Sequence, residues 1–300
     1  MKSRAFILVA LLILTATCGC TDQPLETSTT IIITKDFGKD QIFSGAADGS
    51  DAMDALNGVA DVDEDGGFID AINDHHSEYP EIKNDWFFYV NGISADVGAN
   101  DYAIHDGDLL HFDLHGWELH MRIPAIIGDF PEPFLHGYRG SVQESIIVYD
   151  EGFEDDASSL KEKMEDLGID VSSEEVISDA DLGRYNLILI GRPGFEPISR
   201  LNDIYKRLGF YVYFEDGEMV VLNSKGEIDG RYKDGAVIQA TQNPWNPKGT
   251  SACENVVWMI CGEEERIREG IDALTKDQDS IRYSFAVVII EDGILKVPAS

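Results

Sequence analysis

Hydrophobic and polar positions alternate differently in the two halves of the chain. Between residues 30 and 118, short β-branched or aromatic runs are separated by Asp, Gly and Asn, which is typical of strands joined by turns. One short helix is predicted at Asp51–Asn57, with Ser50 as its N-cap and Gly58 at its end. The order of two strands, one helix and further strands predicts a β-grasp domain over residues 30–118. The predicted strands are Thr30–Thr34, Gln41–Phe43, Phe68–Ile72, Trp86–Val90 and Leu109–His115.

From residue 144 to 300, apolar strands alternate with amphipathic helices instead. This pattern predicts βαβ units and parallel strands, and the turn Glu215–Gly217 between two apolar runs adds an antiparallel hairpin. The predicted fold class is therefore α+β, with an N-terminal β-grasp domain followed by an α/β domain that has a mixed sheet. Residues 119–143 are rich in Pro and Gly and predict an ordered junction.

The first twenty residues predict export. Two positive charges precede the apolar run Ala5–Leu14, which is too short to span a bilayer and is typical of a signal peptide. The small residues that follow, leading to Cys20 after Gly19, resemble the lipobox of bacterial and archaeal lipoproteins. The resemblance implies that residues 1–20 are a signal peptide, that Cys20 carries a lipid and that residues 21–29 are a tether. Cys18 is a competing lipid acceptor, and secretion without an anchor is the alternative.

The net charge of the chain limits the classes of molecule that it is expected to bind. The chain has 56 Asp and Glu against 23 Lys and Arg, a formal net charge of −33. Such a surplus argues against nucleic acid as a partner and is typical of a solvated surface in a salty or extracellular medium. The surplus is densest in residues 21–120, where 22 acidic residues face three lysines and no arginine.

The two cysteines in the body of the predicted mature chain, beyond the lipid attachment site, are expected to be free. Cys253 and Cys261 flank an apolar run that reads as a buried strand, and an extended strand would hold their sulfurs too far apart for a disulfide. We predict buried thiols without a catalytic role.

Several motifs in the first half resemble a known family. They are the run Gly49–Leu56, then Trp86–Gly92 with its Trp-x-x-Tyr-Val-Asn-Gly pattern, and then Gly98 with Tyr102–Asp108. Together they resemble an uncharacterised domain family related to the C-terminal β-domain of transcobalamin and intrinsic factor. The resemblance implies that the domain binds a small ligand, with a corrinoid such as cobalamin as the leading candidate. The helical barrel that completes the vitamin B12 carriers is absent from the sequence pattern.

Strand alternation suggests which residues would contact that ligand. Trp86, Phe88 and Val90 share one face of a strand and are expected in the core, so Tyr89 and Asn91 point to the opposite face. The predicted ligand contacts are Tyr89, Asn91, Gly92, Gly98 and Asp108.

Two clusters could bind a metal ion. Asp61, Asp63 and Asp65 precede Gly66 with the spacing of a calcium loop, although Ile72 stands where the bidentate acid is expected. They predict a loose calcium site, with a merely solvated acidic loop as the alternative.

The second cluster lies on a strand. His111, Asp113 and His115 alternate on one strand face and could ligate zinc, but we expect them to be solvated there.

The second half resembles a different group of proteins. The string Asn186–Gly194, followed by Gly235–Pro247, is similar to an α/β module of archaeal S-layer and surface proteins. This resemblance implies an archaeal cell envelope.

Taken together, the sequence predicts a lipid-anchored cell-surface protein that is not an enzyme and binds a small ligand. A structural protein associated with the S-layer is the first alternative. A metal-dependent hydrolase that uses the cluster of His111 and His115 is the second.

Overall fold

The computed structural model describes residues 27–299. The predicted signal peptide, Cys18 and Cys20 lie outside the described residues. Strand β1 begins at Thr27, so the last three residues of the predicted tether belong to a strand.

A five-stranded sheet forms the centre of the N-terminal segment, residues 27–118, in the order β2-β1-β8-β6-β7. Strands β1 and β8 are parallel neighbours, and the other pairs in this sheet are antiparallel. A second sheet of three short strands, β3-β4-β5, extends from it. The elements are β1 Thr27–Lys35, β2 Asp40–Gly49, α1 Ala52–Asn57, β3 Val62–Asp65, β4 Phe68–Ile72, β5 His75–His76, β6 Asn84–Val90, β7 Ile93–Ser94 and β8 Leu109–Gly116.

Helix α1 covers one face of the five-stranded sheet. Met53 and Leu56 on the helix are buried in one cluster with Ile31 and Ile33 of β1 and with Phe112 of β8. The register places Ile31 opposite Leu110 and Ile33 opposite Phe112, so alternate residues of both strands face the helix.

A seven-stranded mixed sheet forms the C-terminal segment, residues 144–299, in the order β10-β9-β11-β16-β15-β17-β18. The first four strands are mutually parallel and the last three are antiparallel to their neighbours. A ribbon of three antiparallel strands, β12-β13-β14, packs beside it. The elements are β9 Ser145–Tyr149, α2 Glu154–Asp166, β10 Val171–Glu174, β11 Asn186–Gly191, α3 Glu196–Asp203, β12 Val212–Glu215, β13 Glu218–Leu222, β14 Ile228–Tyr232, β15 Ala236–Gln242, β16 Val256–Gly262, α4 Glu264–Lys276, β17 Ala286–Ile290 and β18 Gly293–Val297. Short 3-10 turns lie at Ala99–Asp101, Tyr205–Arg207 and Gln278–Ser280.

Both faces of this sheet are buried, as expected for parallel strands between helices. Trp258 of β16 faces the cluster that contains α2 and α4, whereas its neighbours Val257 and Met259 face α3 and the ribbon. The alternation explains why β16 reads as an unbroken apolar run in the sequence.

The junction, residues 119–143, packs against both segments. Phe134 contacts Trp258 edge to face, with ring centroids 5.2 Å apart. Arg122 donates to the Ser94 carbonyl in the N-terminal segment (2.9 Å) and to Gln242 Oε1 in the C-terminal segment (3.0 Å). One hydrophobic cluster contains residues of both segments and of the junction, so the two sheets share a core.

The predicted mixed α+β class is confirmed, and so is the Asn91-Gly92 turn, where both residues have the positive φ that a tight hairpin requires.

The predicted N-cap of the first helix, Ser50, is corrected. Asp51 is the N-cap and accepts a hydrogen bond from the Asp54 amide (2.8 Å), while the Ser50 amide donates to the Asp54 carboxylate. The free, buried thiols of Cys253 and Cys261 are confirmed.

The sequence pattern did not predict six strands, because each is short or polar: β3, β5, β7, β10, β14 and β18. Among residues 27–299, the structure has no helix that is both long enough and apolar enough to cross a membrane.

The junction approaches the C-terminal segment most closely at Gly128. Its amide donates to the Ser284 carbonyl (2.7 Å), and a Cβ at this position would lie 1.9 Å from the Ser284 nitrogen. We expect Gly128→Ala to lower the free energy of unfolding by about 1–3 kcal/mol, since backbone must move to make room. Urea denaturation measures the change. Gly194→Ala is the matched control, because its added Cβ meets nothing within 4 Å and should leave stability unchanged.

Candidate functional site

Strand β8 is buried on both faces. Leu110 and Phe112 face helix α1. On the opposite face, His111 and His115 lie against Tyr283 and Phe285 of the C-terminal segment, with Asp113 buried between them. His111 is 0% exposed and His115 is 2% exposed. The prediction that these histidines are solvated is therefore wrong, because the polar face of the strand lies in the contact between the two segments.

Asp113 is the centre of a hydrogen-bonded group that we call the buried network, formed by Thr34, His111, Asp113, His115 and Asp129. The Asp113 carboxylate accepts hydrogen bonds from the Thr34 hydroxyl (2.5 Å) and from His115 Nδ1 (2.7 Å). It also accepts from the backbone amides of Phe37 (3.2 Å) and Gly38 (2.9 Å). Four donors satisfy a carboxylate that has no contact with water.

His111 links this carboxylate to the junction. Its Nε2 lies 2.7 Å from the Thr34 hydroxyl oxygen, and its Nδ1 lies 2.9 Å from Asp129 Oδ1. The single hydroxyl hydrogen of Thr34 is donated to Asp113, so His111 Nε2 must donate to the Thr34 oxygen. Nδ1 faces a carboxylate and must donate as well. Both ring nitrogens therefore carry a proton, and His111 is a buried imidazolium.

The pKa shifts agree with this assignment. Burial acts to lower the pKa of His111, but the charge and hydrogen bond of Asp129 and the charge of Asp113 outweigh it, so the pKa is raised above its ordinary value of 6.5. For Asp113, burial acts to raise the pKa, yet the hydrogen bond and charge of His115, with the charge of His111, hold it below the ordinary value.

Aromatic rings surround the buried network. Phe285, just before β17, contacts His115 edge to face at 5.0 Å and Phe37 at 5.5 Å. His115 is stacked between Phe37 (4.6 Å) and Phe87 (4.2 Å). Lys296 of β18 donates to the Gly38 carbonyl at 3.1 Å and adds a polar tie beside the rings.

Most of the predicted ligand contacts are inaccessible. Tyr89 is 1% exposed and its ring packs edge to face on Phe285, 5.4 Å away. Asn91 is completely buried; its Nδ2 donates to Asp108 Oδ1 (2.9 Å) and to the Gly137 carbonyl (2.8 Å), and its Oδ1 accepts from the Leu109 amide (2.7 Å). Asp108 also accepts from the Tyr102 hydroxyl at 2.9 Å.

These side chains hold the β6–β7 turn against the start of β8 and against the junction. Gly92 is buried in that turn. The expectation that Tyr89, Asn91, Gly92 and Asp108 present a surface to a ligand is corrected, because the strand face that carries them is closed by the rest of the chain.

Gly98 is the one predicted contact that lies at the surface. A Cβ on Gly98 would lie 3.7 Å from the carbonyl of Gly67, in the turn between β3 and β4, and Phe68 beside that turn is 80% exposed. We call Gly66, Gly67, Phe68 and Gly98 the tip. Sequence reasoning missed Phe68 because it was assigned to the start of a strand; its place directly after two glycines in a polar run was the available signal.

The three aspartates of the predicted calcium site are exposed, with Asp63 and Asp65 in strand β3. Asp63 pairs with Ala71 and Asp65 with Phe68, so these two aspartates belong to a hairpin strand. Among residues 27–299, no three His, Cys, Asp or Glu side chains are grouped so that they could hold a metal ion. Calcium binding by Asp61, Asp63 and Asp65 stays a prediction.

The raised pKa of His111 makes stability depend on pH. The stabilisation from its proton is fully present below about pH 6.5 and is lost as pH rises through the folded-state pKa. Asp129→Asn removes the charge that holds this proton. We expect the variant to be less stable than the wild type at low pH, with a difference that shrinks as pH rises.

Urea denaturation of both proteins between about pH 5 and about pH 9 measures this difference. Asp179→Asn is the control, since this carboxylate is 84% exposed and pairs with Arg200 at the surface. A deficit for Asp129→Asn that is constant across the range would contradict the assignment of a charged His111.

Comparison with known proteins identifies part of the N-terminal segment. Residues 49–116 match the family described as a domain of unknown function (DUF4430), which is in the transcobalamin-like family. A solved structure described as a candidate metal-binding protein from Ruminococcus gnavus is similar over 30% of this chain and 98% of its own, with 16% identity and a TM-score of 0.27. No curated protein matches the chain. The transcobalamin-like resemblance is thus confirmed for the region from the end of β2 to the end of β8, and residues 49–116 carry the DUF4430 match.

Proposed function

We propose that the protein is a lipid-anchored cell-surface protein that binds a small ligand without catalysis through its N-terminal segment. A corrinoid such as cobalamin is the first candidate ligand. The DUF4430 match supports a binding role, because this family is in the transcobalamin-like family.

The tip is the observation that carries this proposal. An added Cβ on Gly66 or Gly67 would meet nothing within 4 Å, and Gly98 has only the Gly67 carbonyl nearby. Three glycines leave a backbone surface that a broad, flat ligand can approach closely. Phe68, 80% exposed beside them, offers a ring on which such a ligand can stack.

The strand face that carries Tyr89 is buried, so we expect the ligand at a different place on the N-terminal segment. Tyr89 packs on Phe285 of the C-terminal segment and Asn91 donates to the Gly137 carbonyl of the junction, whereas the tip is exposed to solvent. A large ligand can therefore reach the N-terminal segment at the tip without parting the two segments.

Burial of the chemically competent groups supports binding rather than catalysis. Thr34, His111 and Asp129 form a hydroxyl–imidazole–carboxylate chain, but all three side chains are fully buried and the Thr34 hydroxyl donates to Asp113. A substrate has no route to that oxygen. The thiol of Cys261 is also buried, which raises its pKa well above the ordinary value and disfavours the reactive thiolate. The same burial weighs against the hydrolase alternative, because His111 uses both ring nitrogens inside the buried network and His115 is only 2% exposed.

Titration with cobalamin tests the ligand. We expect the protein from residue 21 onward to shift the cobalamin absorbance spectrum, and Phe68→Ala to bind about tenfold more weakly because a stacked ring is lost. Val176→Ala is the matched control, since Val176 is similarly exposed (76%) but lies in the C-terminal segment. If the wild-type protein causes no spectral shift, the corrinoid is rejected as the ligand and the structural envelope role is favoured.

Cell fractionation tests the anchor. We expect Cys20→Ser to release the protein from the membrane fraction, because the thiol that would carry the lipid is lost. Cys18→Ser is the matched control and should leave the protein attached. Release by Cys18→Ser alone would assign the lipid to Cys18, and a soluble wild type would favour secretion without an anchor.

A further inference from the structure

A cavity of about 390 Å³ lies in the C-terminal segment, far in sequence from the tip. This volume is within the range of small-molecule sites, roughly 300–1,000 Å³. Residues from the loops after two strands and from the ribbon line it, among them Gly194, Phe214, Met219, Tyr232, Lys233 and Glu263.

The cavity opens where the parallel strands β11 and β16 end. These strands are neighbours in the sheet; the chain leaves β11 at Gly191 and β16 at Gly262, and the cavity lies just beyond both ends. Ligands of open α/β sheets bind outside the carboxyl ends of the strands, where loops meet without filling the space.

Two aromatic rings and an open glycine form part of the walls, beside polar residues. Phe214 and Tyr232 are half-buried, so each ring keeps part of its surface exposed. Gly194 borders open space, since an added Cβ there meets nothing within 4 Å. A ligand with an apolar body can lie between rings that the protein itself does not cover.

Two opposite charges in this lining lack partners. Arg231 pairs with Glu215 (3.1 Å) and Glu218 (3.6 Å), and Asp234 pairs with Arg266 (3.1 Å). In the part of the chain that the structure describes, neither the Lys233 ammonium nor the Glu263 carboxylate forms an ion pair, although both border the cavity. Asp216, at the ribbon turn, adds a second carboxylate to the lining.

We propose that this cavity binds a small zwitterion of amino-acid or dipeptide size. The ligand carboxylate pairs with Lys233, the ligand ammonium pairs with Glu263, and the apolar side chain lies against Phe214 and Tyr232. The site is independent of the tip and of the corrinoid proposal, because no residue is shared between them.

Calorimetric titration with matched probes tests the ligand class. L-phenylalanine and the dipeptide glycyl-L-phenylalanine carry both charges, N-acetyl-L-phenylalanine lacks the ammonium, and L-phenylalaninamide lacks the carboxylate. We expect the zwitterions to bind, and each singly charged probe to bind at least about tenfold more weakly. Tighter binding of the dipeptide would assign peptides as the ligand, and tighter binding of phenylalanine would assign free amino acids.

Variants assign the contacts. Lys233→Met should abolish the advantage of phenylalanine over its amide, and Glu263→Gln should abolish its advantage over the acetylated form. Gly194→Trp should block all probes by filling the cavity. Lys225→Met, at another exposed lysine, is the control and should change nothing. Circular dichroism establishes that each variant is folded.

The proposal is overturned if no zwitterion binds at millimolar concentration, if the singly charged probes bind equally well, or if the three cavity variants bind like the wild type. Phe68→Ala should leave these titrations unchanged, so failure here is distinguishable from failure of corrinoid binding at the tip.

Discussion

The packing of the two segments depends on one buried carboxylate, that of Asp113, which water does not reach. Asp113 is completely buried and remains charged only because four donors converge on it, from β1, from the β1–β2 turn and from its own strand. Removing any of these donors would leave buried charge uncompensated, which is costly in a protein interior. The turn that supplies Phe37 and Gly38 is held in place partly by the C-terminal segment, through Lys296.

The same network explains why the two segments form one body. His111 carries positive charge between Asp113 and Asp129, so it joins the N-terminal sheet to the junction. Phe285 and Tyr211 of the C-terminal segment then close the surrounding aromatic cluster over it. A strand face that could have received a ligand becomes an internal contact, so the proposed binding sites lie at the periphery, at the tip and at the cavity beyond β11 and β16.

Charged residues have different surroundings at the tip, in the buried network and at the cavity. The acidic residues around the tip are exposed and contribute mainly to a hydrated surface, since repulsion among solvated carboxylates is screened by salt. In the buried network, by contrast, each charge has a specific partner at hydrogen-bond distance. At the cavity, Lys233 and Glu263 carry opposite charges at the surface, and among the described residues neither has an ion-pair partner.

Sequence alone determined the longer strands, the helices and the mixed α+β class. The apolar run of β16, the Asn91-Gly92 turn and the core positions of Phe88 and Val90 follow from periodicity and backbone preference, which depend on neighbouring residues. Only the tertiary structure decided whether the polar face of β8 is buried or exposed to water. Alternation shows that His111, Asp113 and His115 share a strand face, but it does not show whether water or another segment covers that face. The answer depends on contacts between residues far apart in the chain, such as Asp113 with Gly38 and His115 with Phe285. For the same reason the sequence did not show that Asn91 and Tyr89 are internal, or that Phe68, the first residue of β4 as predicted, is exposed at the tip.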